Sequence, residues 1–340
     1  MSESARAHAF SYAPDHWTKS AREESERSKI LRGLRLYFAT PVFFGVTMMV
    51  LDSPVLAAAL SFVFLAINQA SLERSAPYLT GIEQPLGPYL LELARKNAIP
   101  LAMTVTGILA GFFALSGLLA ILGVEASLVL LLPASFAPDA SAAATLLWCL
   151  PVLLLADFLV YWYHRAAHAS GEGLLARLHA VHHSIPYFTL AQGSRAHPLE
   201  TVVTYSAYGI AGALLGVGFD STFCAGALVL FIMSAHHVNC DDELGPFGRL
   251  LVETDAHRWH HNIDHLDSGN FSLLFAHCDR IFGTYHRPNK FSGRIGVQAF
   301  EQFFPTSPLE QLLAPLPSHW EALKARNRDP VPSDPTPNDG

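Results

Sequence analysis

The chain has 340 residues, 51% of them hydrophobic and only 15% charged, and its 22 basic and 29 acidic side chains leave a formal charge of −7. That balance excludes a disordered chain, which needs low hydrophobicity and high charge. It also excludes a general nucleic-acid binder, which needs a basic surplus to meet phosphates. Apolar excess with few charges, and a mean hydropathy of +0.27, points to a membrane protein.

The first 33 residues are polar and charged, with no apolar core followed by a small-residue cleavage site. No secretory signal is expected, and the N-terminus is expected on the cytoplasmic side. An apolar stretch runs from Leu36 to Leu51, breaks at Asp52, Ser53 and Pro54, and resumes from Val55 to about Leu72. At 16 to 18 residues each run is slightly short for a ~30 Å core crossed at ~1.5 Å per residue. Two short spans in a tight hairpin are expected, with a shallow re-entrant hairpin as the alternative. Residues 73–96, with Pro77, Pro85 and Pro88, read as an interfacial segment. Asn97 to Val124 is 28 residues without a charge, the pattern of a third span. Pro133 and Pro138 mark a loop, and Ala142 to Tyr163 is the next span, with one acid, Asp157. Thr201–Phe219 and Ser221–Cys240 meet at Asp220 as another hairpin, and residues 329–340 are a Pro-rich tail expected to be disordered.

Charge placement orients these spans. The far-side loops carry Asp52, Glu125, Asp139 and Asp220 without Lys or Arg. The near side carries Lys29, Arg32, Arg35, Arg74, Arg95, Lys96, Arg165 and Arg177. The positive-inside rule then puts the N-terminus and every histidine-rich segment in the cytoplasm. The expected fold is all-α: a polytopic membrane protein of helical hairpins, with a cytoplasmic, histidine-rich helical cap holding a dimetal site. The expected division is a cytoplasmic segment 1–33, a membrane hairpin, interfacial segment and third span over 34–130, a catalytic unit over 140–290, a cytoplasmic segment 291–328 and the tail 329–340.

Histidine carries the chemistry. Fourteen of the 17 lie between His164 and His286, where an even spread would put about 6. HRAAH places His164 and His168 at i and i+4; HAVHH places His179, His182 and His183 at i, i+3 and i+4; HRWHH repeats that with His257, His260 and His261. On a helix these offsets fall on one face, as several imidazoles converging on a metal require. Eight convergent imidazoles exceed one tetrahedral or octahedral shell, so two metals are implied. His8, His16 and His319 stand apart and read as surface residues. Cys149, Cys224, Cys240 and Cys278 form no CxxC pair, so neither a zinc finger nor a disulfide framework is expected. Asp157 lies seven residues before His164, on the same helix face. It is expected to accept the second N–H of a metal-bound histidine, with Glu200 and Asp279 able to serve similarly.

These boxes and their flanks resemble the fatty acid hydroxylase superfamily, also called the sterol desaturase family. DFLVYWYHRAAH from Asp157, HAVHHS with the downstream RAHPLE, HHVN from His236, and CDRIFGTY from Cys278 each resemble a family element. The resemblance covers about residues 140–290. His277 and Cys278 depart from it, standing where the family has an apolar residue and Trp. The resemblance implies a non-haem di-iron centre that uses O2 and two electrons to attack an unactivated C–H bond of a lipid. The family's catalytic metal ligands carry over onto His164, His168, His179, His182, His183, His257, His260 and His261, with His237 of the H.N element as a ninth. His197 is expected as a ligand or as a support for one, and His236 and Asn239 as supports; His265, His277 and His286 fall on no family ligand position.

No haem, flavin or Fe–S motif appears, so electrons are expected from a separate donor, such as a ferredoxin or a small cytochrome with its reductase. The expected activity is hydroxylation of a fatty acyl, sterol or related lipid, in a bacterial inner membrane, with no nucleic-acid partner. Zinc is a possible occupant of the imidazole shell in a purified sample. The alternatives are a lipid desaturase with the same centre, or a non-catalytic metal-binding or transport protein. Transport sites belong near the bilayer midplane on broken helices, whereas these histidines cluster at one face.

Overall fold

The computed structural model describes residues 24–77, 141–184, 188–189, 195–263, 269–291, 294–297 and 307–328, with isolated positions between 91 and 111. Among the described residues there are ten α-helices and no strand, only two isolated β-bridges. Helix α1 (Glu26–Leu51) starts at Ser25, whose hydroxyl accepts the Ser28 N–H, and ends at Asp52 with φ 46°. Asp tolerates that left-handed conformation better than most residues. Helix α2 (Pro54–Ser75) starts one residue later: Ser53 caps the Leu56 N–H and Pro54 fills the first helical position. Asp52 and Ser53 are thus the whole turn of the expected hairpin. The helices outrun the apolar stretches because the charged residues at their near-side ends join the same helices. At ~1.5 Å per residue their 26 and 22 residues suffice for a ~30 Å core.

Helices α3 (Ala142–Ala169) and α6 (Phe219–His236) complete the four helices that, among the described residues, are long and apolar enough to cross a membrane. Helix α5 (Pro198–Leu215) precedes α6 and ends at Gly216, φ 67°; a residue without Cβ holds that C-cap at no steric cost. The second expected hairpin is therefore present as helices, although α5, which carries Glu200, Tyr205 and Tyr208, is not among the four. The interfacial segment beyond residue 77, the span expected over Asn97–Val124, the loop at Pro133 and Pro138, the first 23 residues and the tail 329–340 lie outside the described residues.

One apolar core joins Phe44 and Met48 of α1, Leu65 of α2, Val152 and Ala156 of α3, Tyr208 of α5 and Phe231 of α6. A second cluster joins Leu36 in the N-terminal half of α1, Leu72 near the end of α2 and Ala235 at the end of α6, so these parts of the three helices share one end of the bundle. Helix α4 (Leu174–His183) is held there by α9 (Pro308–Leu313) and α10 (Pro317–Arg328), through Val181 against Ala314, Trp320 and Leu323. Gly33 lets α1 touch the loop leading to the third histidine box. A Cβ there would stand 2.7 Å from the Glu243 carbonyl carbon, where the Glu243 N–H donates to Lys29 O at 3.2 Å.

Candidate metal centre

One end of the bundle gathers nine histidines among the described residues. His164 and His168 lie in the last turns of α3, His179, His182 and His183 end α4, and His237 is the C-cap of α6. His257 and His260 lie on α7 (Thr254–His260), with His261 as its C-cap. They form two groups whose nitrogens lie within 4.8 Å of one another: His164, His168, His179, His183 and His260 in the first, His182, His237, His257 and His261 in the second. The two HxxHH boxes are shared in opposite senses. The i, i+4 pair of HAVHH serves the first group and its i+3 histidine the second; the i, i+4 pair of HRWHH serves the second and its i+3 histidine the first.

Within each group the contacts run through Nε2. In the first, His164 to His179 is 3.0 Å, His179 to His183 2.9 Å and His183 to His260 3.1 Å. In the second, His182 to His237 is 3.2 Å, His237 to His257 2.9 Å and His257 to His261 3.0 Å. Two nitrogens each ~2.1 Å from one ion lie ~3.0 Å apart at right angles and ~3.4 Å apart at the tetrahedral angle. The observed spacings fit neighbouring positions of octahedral shells, one with five imidazoles and one with four, and each with room for further ligands. His168, whose buried Nε2 has no hydrogen-bond partner, faces the rings of His164, His179, His183 and His260 at 4.6–5.2 Å.

The other ring nitrogens are tied to the scaffold. Nδ1–H of His164 donates to Phe271 O (2.7 Å), of His182 to Arg195 O (3.0 Å), of His237 to Met233 O (3.1 Å) and of His260 to Gly269 O (2.8 Å). His179 Nδ1–H donates to the Glu200 carboxylate. A proton fixed at Nδ1 leaves the Nε2 lone pair facing inward. Burial first, and neighbouring imidazoles second, hold the ring pKa of His179, His183, His237, His257, His260 and His261 well below the usual histidine range. Burial also lowers that of His182, while Glu200 and the Arg195 carbonyl work the other way. Neutral rings are the form that binds a metal.

The carboxylate support comes from Glu200, in the first turn of α5, rather than from Asp157. Asp157 reaches no histidine of either group. Its Oδ1 accepts the N–H of Leu273 and Leu274, both at 3.0 Å, and its Oδ2 that of Phe275 at 3.1 Å. Seven residues along a helix is a rise of ~10.5 Å, too far for direct contact with the His164 ring. Asp157 instead fixes the segment that supplies the Phe271 carbonyl to His164. His197 stands outside both groups: its Nδ1 accepts the Leu199 N–H at 3.1 Å, and its Nε2–H donates to Leu312 O at 3.2 Å. His236 also stands outside them, with its ring 5.2 Å from that of His257 and 5.7 Å from that of Tyr37. Asn239 is buried two residues beyond His237, its N–H donating to Glu73 at 3.1 Å. His277 lies against Asp157 at 3.9 Å, His286 against the Trp259 ring, and neither they nor His319 join a group; His265 lies outside the described residues.

Two phenylalanines that no motif marks close the centre. Phe271 packs on His164, His168 and His260, with centroids 5.3–5.9 Å apart. Phe188 packs on His237, His257 and His261 at 5.1–5.9 Å. The third box is braced from behind. Arg258 donates to the carbonyls of Val238 (3.2 Å) and Cys240 (2.9 Å), tying α7 to the loop after His237. Arg287 bridges Glu253, Asp255 and Glu243. Asn270 donates to Ala256 O at 2.9 Å and to His286 O at 2.6 Å.

Comparison with known proteins places this geometry in context. The fatty acid hydroxylase family matches residues 149–284, which include all nine histidines. Ornithine lipid hydroxylase OlsE of Rhizobium tropici is 31% identical over 147 residues, 43% of this chain and 44% of that protein. Methylsterol monooxygenase 2-2 of Arabidopsis thaliana is 30% identical over 135 residues, 38% and 49% of the two chains. A very-long-chain aldehyde decarbonylase of Oryza sativa subsp. indica is 29% identical over 133 residues, 38% and 49%. The chain spans about half the length of the curated relatives it matches. No solved structure matches it.

Proposed function

We propose, from the premise that residues 149–284 form a fatty acid hydroxylase domain, that this protein is a membrane-bound, O2-dependent oxidoreductase that hydroxylates a C–H bond of a lipid. Two irons would be held, one by His164, His168, His179, His183 and His260, the other by His182, His237, His257 and His261. The observation that carries this reading is the convergence, among the described residues, of nine imidazoles in two adjoining groups that include no thiolate or carboxylate, at one end of helices long and apolar enough to cross a membrane. All-imidazole shells suit iron, and right-angled spacing with open positions suits a catalytic ion better than a closed structural one.

When bound, the iron pair supplies the activation of O2 that C–H attack requires. The overall reaction takes lipid C–H, O2, two electrons and two protons to lipid C–OH and water. Glu200 keeps the His179 proton at Nδ1 and directs Nε2 inward. The carbonyls of Phe271, Arg195, Met233 and Gly269 do the same for His164, His182, His237 and His260. Phe271 and Phe188 exclude water from the faces of the two groups. The electrons come from a separate donor, a ferredoxin or a small cytochrome with its reductase. We take residues 140–290 as the catalytic unit and the helices before it as its membrane anchor. The N-terminus and the centre face the cytoplasm of a bacterial inner membrane, on the strength of the positive near-side segments.

The test is lipid mass spectrometry of cells expressing the parent chain, His260→Ala or His257→Ala, grown under isotopically labelled O2. A lipid gaining one labelled oxygen in the parent alone supports hydroxylation. A lipid losing two hydrogens without gaining oxygen replaces it with desaturation. Identical lipids in all three strains contradict both.

A further inference from the structure

We infer that Ile281 and Phe282, at the end of α8 (His277–Ile281), dip into the lipid leaflet beside the histidine centre and form a membrane-inserted lip. The inference starts from a stripe on α3. Leu147, Leu150, Leu154, Phe158 and Trp162 recur every three or four residues, on one helix face, and all are exposed. On a helix long and apolar enough to cross a membrane that face meets acyl chains. Phe282 continues it. Its ring lies 5.0 Å from that of Trp162, 5.3 Å from Tyr161 and 6.4 Å from Phe158. Ile281 beside it is 70% exposed and Phe282 37%. Taking an isoleucine side chain out of water is favourable, and lipid supplies that burial here.

The rim of the patch has the composition of a headgroup boundary. Trp162 is of the residue type enriched at that level. The Arg165 guanidinium lies 5.6 Å from its ring and donates to the Tyr161 hydroxyl, and the exposed Arg280 lies 4.0 Å from the Tyr285 ring. Cations whose stems lie along apolar rings at a leaflet surface meet lipid phosphates. The lip is firmly anchored. Asp279 accepts the N–H of Phe271 (2.8 Å) and Ser272 (3.0 Å) and the Thr284 hydroxyl (2.7 Å), and Tyr161 and Thr284 share a hydrogen bond of 2.9 Å. Gly283, with φ 71°, turns the chain back directly after Phe282. The same segment begins at Phe271, against His164 and His168. Trp162 precedes His164 by two residues, a rise of ~3 Å. The lip therefore fixes the centre within about one helical turn of the lipid–water boundary.

The four native cysteines are buried, so Ile281→Cys in the full chain can be labelled selectively with an environment-sensitive fluorophore. The protein is placed in nanodiscs of phosphatidylcholine and phosphatidylglycerol. The reference is Glu321→Cys on the charged helix α10, whose native side chain is 63% exposed. The expected result at 281 is blue-shifted emission, quenching by lipids with a doxyl group high on the acyl chain, and several-fold weaker iodide quenching than at 321. Iodide quenching at 281 equal to that at 321 overturns the inference. So does shielding from both quenchers, which would mark a protein contact. The readout needs no activity and no metal, so it stands apart from the proposed reaction.

Discussion

His183 and His261 stack with ring centroids 4.1 Å apart and planes 25° from parallel, one from each group of imidazoles. They are where the two crossed boxes meet, and the crossing makes a prediction that box membership alone does not. His182 and His183 are adjacent in sequence, yet serve different groups. The double variant His182→Ala/His237→Ala should keep one metal per chain, held by the first group. His179→Ala/His260→Ala should keep the other. Elemental analysis of the two purified proteins checks this; loss of all metal from both contradicts the division.

Among the described residues, Glu200 is the one carboxylate that takes the N–H of one of the nine histidines directly. Glu200→Ala should lower metal affinity by roughly 10–100-fold. Glu200→Gln retains an acceptor oxygen and should fall between the variant and the parent. Competition with a chelator measures all three. Equal retention by Ala and parent would show that the backbone carbonyls suffice to orient the rings.

Asp157 should act on stability before it acts on metal. Asp157→Ala strands three N–H groups, two buried and one part-buried, at ~1–3 kcal/mol for each buried one, so a loss of at least about 2 kcal/mol is expected in reversible unfolding. A variant within about 0.5 kcal/mol of the parent would contradict the anchoring role. In folded protein its effect on metal retention should be smaller than that of Glu200→Ala, because it reaches His164 only through the Phe271 carbonyl.

Asp242 gives a pH dependence outside the centre. Burial pushes its carboxyl up to about 7, against the opposing pull of Arg258 and of the Thr254 hydroxyl, which donates to it. The unfolded chain releases that proton near ~4. The fold therefore binds the extra proton between those values, and its stabilising effect is fully present below ~4 and lost as pH rises through about 7. Asp242→Asn keeps an acceptor for Thr254 and removes the ionisation. Its thermal midpoint relative to the parent should rise from pH 5 to pH 8; a constant or falling difference contradicts the assignment.

Much of this was legible from residue spacing, for a physical reason. Intervals of three and four put imidazoles on one helix face whatever surrounds them, and charge-free runs mark helices that lipid can bathe. What spacing does not carry is who meets whom across the bundle. The box crossing depends on how α4 faces α7. The carbonyls at Phe271, Arg195 and Gly269 belong to loops whose paths are set by tertiary contacts. Phe188 and Phe271 have no periodicity to reveal them. His197 looked eligible as a ligand because it sits in RAHPLE, but its ring is spent on the N-terminus of its own helix and on Leu312. Asp157 shares a face with His164, yet two turns of helix separate them.

The most direct test of the central claim is the metal content of the full chain, purified in detergent without a metal-affinity tag from cells grown in iron-sufficient medium. The two imidazole shells predict about two irons per chain. One ion or none, in folded and monodisperse protein, would contradict the nine-histidine, two-metal centre.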